Sequence, residues 1–225
     1  MEKTEKLTFS EWIENLWYRY KWMIIILGLI AVFAVIALVQ MLSIDDPDVS
    51  LLYVGPEYLT QANRERVNGS FAALADDFDG DGKITADILD ITLKRYYDVS
   101  DAAEYGIYDQ NNEALKRFQI EIRSGDAVIY LLDETFFEDC LELGILASFD
   151  SIFGEGNAPK GSIGGFGIRL GDIDAGTLPG FDALPRDMVL CLRRAPSEDA
   201  MSYGRDGAFW ENNRKAFVSL AEYRR

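Results

Sequence analysis

Asp77-Phe78-Asp79-Gly80-Asp81-Gly82-Lys83-Ile84 sets carboxylates at alternate positions, then a glycine, then an apolar residue two places on. That is how a twelve-residue calcium loop opens. Alternate carboxylates converge on one hard cation, the Lys83 carbonyl supplies the seventh-position oxygen, and Gly82 permits the sharp turn. The pattern departs at position 12. A bidentate acid belongs there, but Ile88 stands in its place and Asp87 comes one residue early. The candidate metal set is Asp77, Asp79, Asp81, Lys83 and Asp87, with calcium as the ion. The alternative is a helix-to-strand turn in which Asp and Gly serve conformation alone.

Other chemistry-bearing groups are sparse. Asp126 and Asp133-Glu134 bracket an apolar run, and carboxylates at the C-terminal end of a strand stand where α/β sheets place ligands. Asp133 is equally placed to cap the helix that follows. Gly154 to Ser162 has a superficial likeness to a phosphate loop, but Pro159 precedes the lysine, Gly161 intrudes before the serine and no helix follows. It reads as a surface loop. The chain has no histidine, which excludes Ser-His-Asp and Cys-His catalysis and imidazole metal sites. Cys140 and Cys191 form no CxxC pair and sit in apolar runs, as buried thiols or one disulfide.

The elements that must hold these groups follow from periodicity. Val49–Pro56 is a short buried strand stopped by Gly-Pro. Leu59–Phe78 is a helix capped by Thr60, with Val67, Phe71, Leu74 and Phe78 on one stripe. Ile84–Leu93 is a second strand, Asp101–Ile122 a helix, Ala127–Leu132 a third strand and Glu134–Leu143 a helix ended by Gly144. The alternation predicts an α/β domain: a three-layer fold with a mostly parallel sheet, mixed toward the C-terminus. Phe149–Gly167 reads as irregular. Phe166–Leu170 and Met188–Leu192 are two further strands, and Ala208–Tyr223 is a closing amphipathic helix.

Ahead of this domain, Met23–Ile44 contains no charged residue. These 22 residues extend about 33 Å as a helix, against a hydrocarbon core of about 30 Å. Arg19 and Lys21 precede the run and Asp45, Asp46 and Asp48 follow it, which predicts a cytoplasmic N-terminus and an extracellular C-terminal domain. The apolar run is too long for a cleaved signal peptide and lacks a small-residue cleavage site. Phe9, Trp12, Ile13, Leu16, Trp17 and Tyr20 recur at helical spacing, and Thr8 and Glu11 have capping-box spacing. Three parts result: an interfacial amphipathic helix over 1–22, a transmembrane helix over 23–44 and an α/β domain over 45–225. Positive and negative residues balance within 1–44, so the whole net charge of −16 belongs to the domain. That field repels nucleic acid and anionic headgroups.

Leu52 to Pro56, Asp79 to Lys83, Asp126 to Asp133 and Leu184 to Arg193 resemble the corresponding segments of uncharacterised single-pass membrane proteins of Gram-positive anaerobes. The likeness covers nearly the whole chain. Asp126 to Asp150 also resembles a stretch of extracellular solute-binding proteins, a likeness that runs from the first strand to Asp150. It implies a domain like one lobe of that fold, and the available length fits one lobe rather than two. The aspartate loop is similar to extracellular calcium half-loops such as those of dockerins.

The functional expectation is a non-catalytic, membrane-anchored interaction or accessory module. The bilayer holds its N-terminal helix, and a membrane or envelope protein, such as a component of a transporter, is its partner class. The alternatives are a binding module for calcium or a small solute, and a carboxylate-dependent hydrolase.

Overall fold

The computed structural model describes the backbone of residues 9–42, 46–93, 104–196 and 206–225, and side chains over 17–39, 46–93, 112–196 and 206–225. The chain divides into two units, Met1–Asp46 and Pro47–Arg225.

In the first unit the described residues form one continuous helix, α1, Phe9–Leu42. No break separates the expected interfacial helix from the expected transmembrane helix. At 1.5 Å per residue it extends about 51 Å, well beyond a hydrocarbon core. Trp17–Val39 is long and apolar enough to cross a membrane, and none of its most apolar stretch is buried within the molecule. The expected Thr8 cap, the side chain of Glu11 and Asp45 lie outside the described residues.

The second unit is mixed α/β, built on one six-stranded sheet. Its elements are β1 (Val49–Gly55), α2 (Gln61–Ala72), β2 (Ala86–Thr92), α3 (Glu104–Ser124), β3 (Ile129–Leu132), α4 (Glu134–Glu142), α5 (Phe149–Phe153), β4 (Ser162–Ile163), β5 (Gly167–Arg169), β6 (Val189–Leu192) and α6 (Gly207–Ala221). Three 3-10 turns lie between β5 and β6. The expected helix start at 101–103 lies outside the described residues.

Strand order is β2-β1-β3-β6-β5-β4. The pairings of β1 with β2 and with β3 are parallel, while β3–β6, β6–β5 and β5–β4 are antiparallel. The parallel expectation therefore holds for the first three strands and stops there. Since β2 and β3 flank β1 on opposite sides, right-handed crossovers put α2 and α3 on opposite faces. The packing agrees. Val67 and Phe71 of α2 join Phe149 and Ile152 of α5 and Phe217 and Leu220 of α6 over Leu51, Tyr53 and Leu131. Phe118 of α3 joins Phe137 and Cys140 of α4 over Leu52, Val54 and Tyr130.

Every residue of β1, β3 and β6 is buried, as expected of strands covered on both faces. Edge strand β2 is only half-buried. Two glycines are fixed by close approach. A Cβ on Gly167 would meet Val189 and Phe137 at 2.5 and 2.7 Å. Gly180 has φ +90, and a Cβ there would meet the Val67 amide nitrogen at 2.5 Å.

Local signals predicted the caps. Thr60 accepts the Asn63 amide and Asp133 accepts the Thr135 amide, so Asp133 is the α4 cap. Two boundaries differ from expectation. Helix α2 ends at Ala72, six residues before Phe78. The stretch expected to be irregular contains α5, started by the Ser148 cap, and the two-residue strand β4.

Candidate functional site

The aspartate loop joins α2 to β2. Each of its first three carboxylates turns back onto the loop's own amides. Asp77 accepts from Gly80 and Gly82 at 2.7 and 2.9 Å. Asp79 accepts from Asp81 at 3.0 Å, and Asp81 from Lys83 at 2.7 Å. Gly80 and Gly82 have φ +77 and +85, conformations that residues with a Cβ rarely adopt. The loop is thus a run of side-chain-closed turns.

A residue outside the sequence motif completes the arrangement. Asp48 immediately precedes β1 and is buried. One carboxylate oxygen accepts the Phe78 amide and the other the Thr85 amide at 2.7 Å. The backbone closes the same gap, with the Asp48 and Val49 amides donating to the Thr85 carbonyl at 3.0 and 3.1 Å. Asp48 therefore clamps both ends of the loop.

Ligand atoms of Asp48, Asp77 and Asp79 all lie within 4.8 Å of one another. Of the expected set, Asp77 and Asp79 are brought together. Asp81, Lys83 and Asp87 lie outside this group, and Asp87 is an exposed residue of edge strand β2. Asp48 takes the remaining corner. Parallel register makes it so: Val49 pairs with Ala86, which places the residue before β1 beside the residues before β2.

The Asp79 carboxyl sits above its ordinary value. The amide of Asp81 favours its charged form, but partial loss of hydration and the neighbouring Asp81, Asp48 and Asp77 carboxylates outweigh it. Carboxylates gathered this closely repel one another. A hard divalent cation relieves that repulsion. Calcium takes six to eight oxygens, so three carboxylates form part of a shell that carbonyls and water complete. Each Asp48 oxygen keeps a lone pair beyond its amide bond.

At the opposite edge, where the parallel strands end, carboxylates have structural partners. Asp90 accepts the Leu59 amide at 2.9 Å and the Arg64 guanidinium at 3.1 Å. Arg64 also donates to the Ile88 carbonyl at 2.8 Å. Asp133 caps α4. Glu134 pairs with Arg169 at 2.7 Å on the surface. Asp126 is exposed beside β3, not across a cleft from Asp133. The loop over 154–162 is not followed by a helix.

Cys140 of α4 and Cys191 of β6 are buried free thiols in one apolar cluster. Comparison with known protein families, with curated proteins and with solved structures finds no match to this chain.

Proposed function

We propose that the chain is a membrane-anchored, non-catalytic module whose α/β domain works outside the cytoplasm on a membrane or envelope partner. One observation carries this reading. The Trp17–Val39 helix is long and apolar enough to cross a membrane, its residues from Trp22 on carry no charge, and the chain buries none of its most apolar stretch. Such a helix needs lipid or another protein's helices around it. Arg19 and Lys21 before the apolar run, and Asp46 and Asp48 after it, favour a cytoplasmic N-terminus. The three-layer domain is of a size to form one lobe of a solute-binding fold, and one lobe offers half a cleft for a partner to complete. A transporter complex is such a partner.

The test is purification of the full chain from its native membrane in mild detergent after cross-linking. A stoichiometric membrane or envelope protein in the product supports the reading. A clean monomer under the same conditions contradicts it.

Asp48 favours calcium binding as a second reading, because it brings a third carboxylate to Asp77 and Asp79 from outside the loop, at the position before β1. Its test is the thermal midpoint of the full chain with calcium and with chelator. Calcium at 100 times its dissociation constant adds about 2.7 kcal/mol. No shift up to millimolar calcium retires this reading, as does an equal shift in Asp48→Asn.

A further inference from the structure

A cavity of about 540 Å³ opens among the end of α4, the start of α5, the segment after β6, and α6. Small-molecule sites span roughly 300–1,000 Å³. The aspartate loop contributes nothing to it.

The walls are apolar and aromatic. Leu141, Leu146, Phe166 and Trp210 are among the lining residues. The Trp210 indole is held in place, since its N–H donates to the Arg193 carbonyl at 2.7 Å. That bond uses the polar edge of the ring and leaves its apolar surface for the cavity. The backbone here is also fixed. Leu146 bridges Arg193, and the Arg194 amide donates to the Ile145 carbonyl at 2.7 Å.

Arg194 is the one charged residue in the lining. It is exposed, and no described residue forms an ion pair with it. Arg64, Arg66, Arg169 and Arg214 each hold a carboxylate. In a chain of net charge −16, an arginine with no carboxylate partner among the described residues, at the rim of an apolar cavity, is suited to an anion from outside. Ser148 adds a second polar group. Its oxygen accepts the Ser151 amide at 3.3 Å, and its proton stays available to donate.

We propose that this cavity binds a small amphipathic monocarboxylate. Its apolar or aryl body lies against Leu146, Phe166 and Trp210, and its carboxylate meets Arg194 with the Ser148 hydroxyl. One planar guanidinium matches one carboxylate. The anionic field of the domain disfavours ligands of higher negative charge. The site stands independently of the partner and calcium readings.

The test titrates the full chain in lipid nanodiscs with 4-phenylbutyrate and with 4-phenylbutanol, read by saturation-transfer NMR on the ligand. Arg194 and Ala195 are exposed, so Arg194→Gln and Ala195→Trp leave the core intact. Saturable binding of the acid is expected, stronger than that of the alcohol. Arg194→Gln weakens the acid about tenfold and leaves the alcohol unchanged. Ala195→Trp, which fills the cavity, abolishes both. No saturable binding up to about 10 mM overturns the proposal. So does unchanged acid binding in Arg194→Gln, or binding in Ala195→Trp equal to the unmodified chain, which reports partition into the bilayer.

Discussion

The side-chain oxygen of Asn213 accepts the amide of Ser50 at 2.8 Å, across 163 positions of sequence. The same side chain donates to the Asp48 carbonyl at 3.1 Å and to the Phe209 carbonyl at 2.9 Å. Asn213 is fully buried. It latches α6 onto the start of β1, the strand that Asp48 immediately precedes. Asn213→Ala leaves the buried Ser50 amide without an acceptor and opens a void. We expect a loss of about 2–4 kcal/mol, read as a lower thermal midpoint of the full chain. A loss below about 0.5 kcal/mol would contradict the latch.

Tyr53 poses the opposite case. Its ring is in the core between β1 and α2, and its buried hydroxyl makes no well-aligned hydrogen bond among the described residues, the Glu57 amide being the one backbone group that reaches it. Removing so poorly bonded a hydroxyl loses little and removes its desolvation penalty. Tyr53→Phe is expected to leave stability unchanged or raise it by up to about 1 kcal/mol. A lower midpoint in this variant would reveal a partner for the hydroxyl.

Glu121 carries a pH dependence. It is buried in α3 and accepts the Ala127 amide at 2.7 Å. Burial raises its carboxyl above the ordinary value, aided by Asp126; the Ala127 amide, Arg193 and Ser124 oppose the rise without cancelling it. A raised folded value means the contribution to stability is complete below the unfolded value, about 4.3, and is lost as pH rises through the folded one. Glu121→Gln keeps an acceptor and removes the charge. Its midpoint relative to the unmodified chain should rise between pH 4 and pH 7. A difference that falls over that range would contradict the assignment.

The thiols should be inert in the folded chain. Burial, with a smaller effect of Asp139, pushes Cys140 up to about 12, and burial holds Cys191 well above the usual thiol range. The thiolate is the reactive form. A thiol reagent at pH 8 should label neither residue until denaturant is added, then both. Rapid labelling of the native chain, or none after unfolding, would contradict two buried free thiols.

How legible these features were depended on whether their causes were local. Thr60 and Asp133 were readable as caps because a cap needs only its own side chain and an amide two or three residues on. The end of α2 was not. Its apolar stripe continues to Phe78, but the helix ends at Ala72, and a carboxylate 30 positions earlier takes the Phe78 amide that a longer helix would have used. Phe78 stays 40% exposed and touches the core only at its margin, through a ring contact with buried Phe209 at 5.6 Å. Asp48 was invisible as a site residue for the same reason. Its place beside the loop follows from the β1–β2 register, which no local spacing records. Strand β4 has two residues, too few for any alternation to be read.

The central claim is a domain held outside the cytoplasm by one helix. Protease treatment of intact cells, followed by detection of tags at both ends of the chain, tests it most directly. The claim predicts that the tag after Arg225 is lost while the tag before Met1 is protected in a membrane-bound fragment that contains α1. Protection of the C-terminal tag in intact cells, with loss only after lysis, would contradict it.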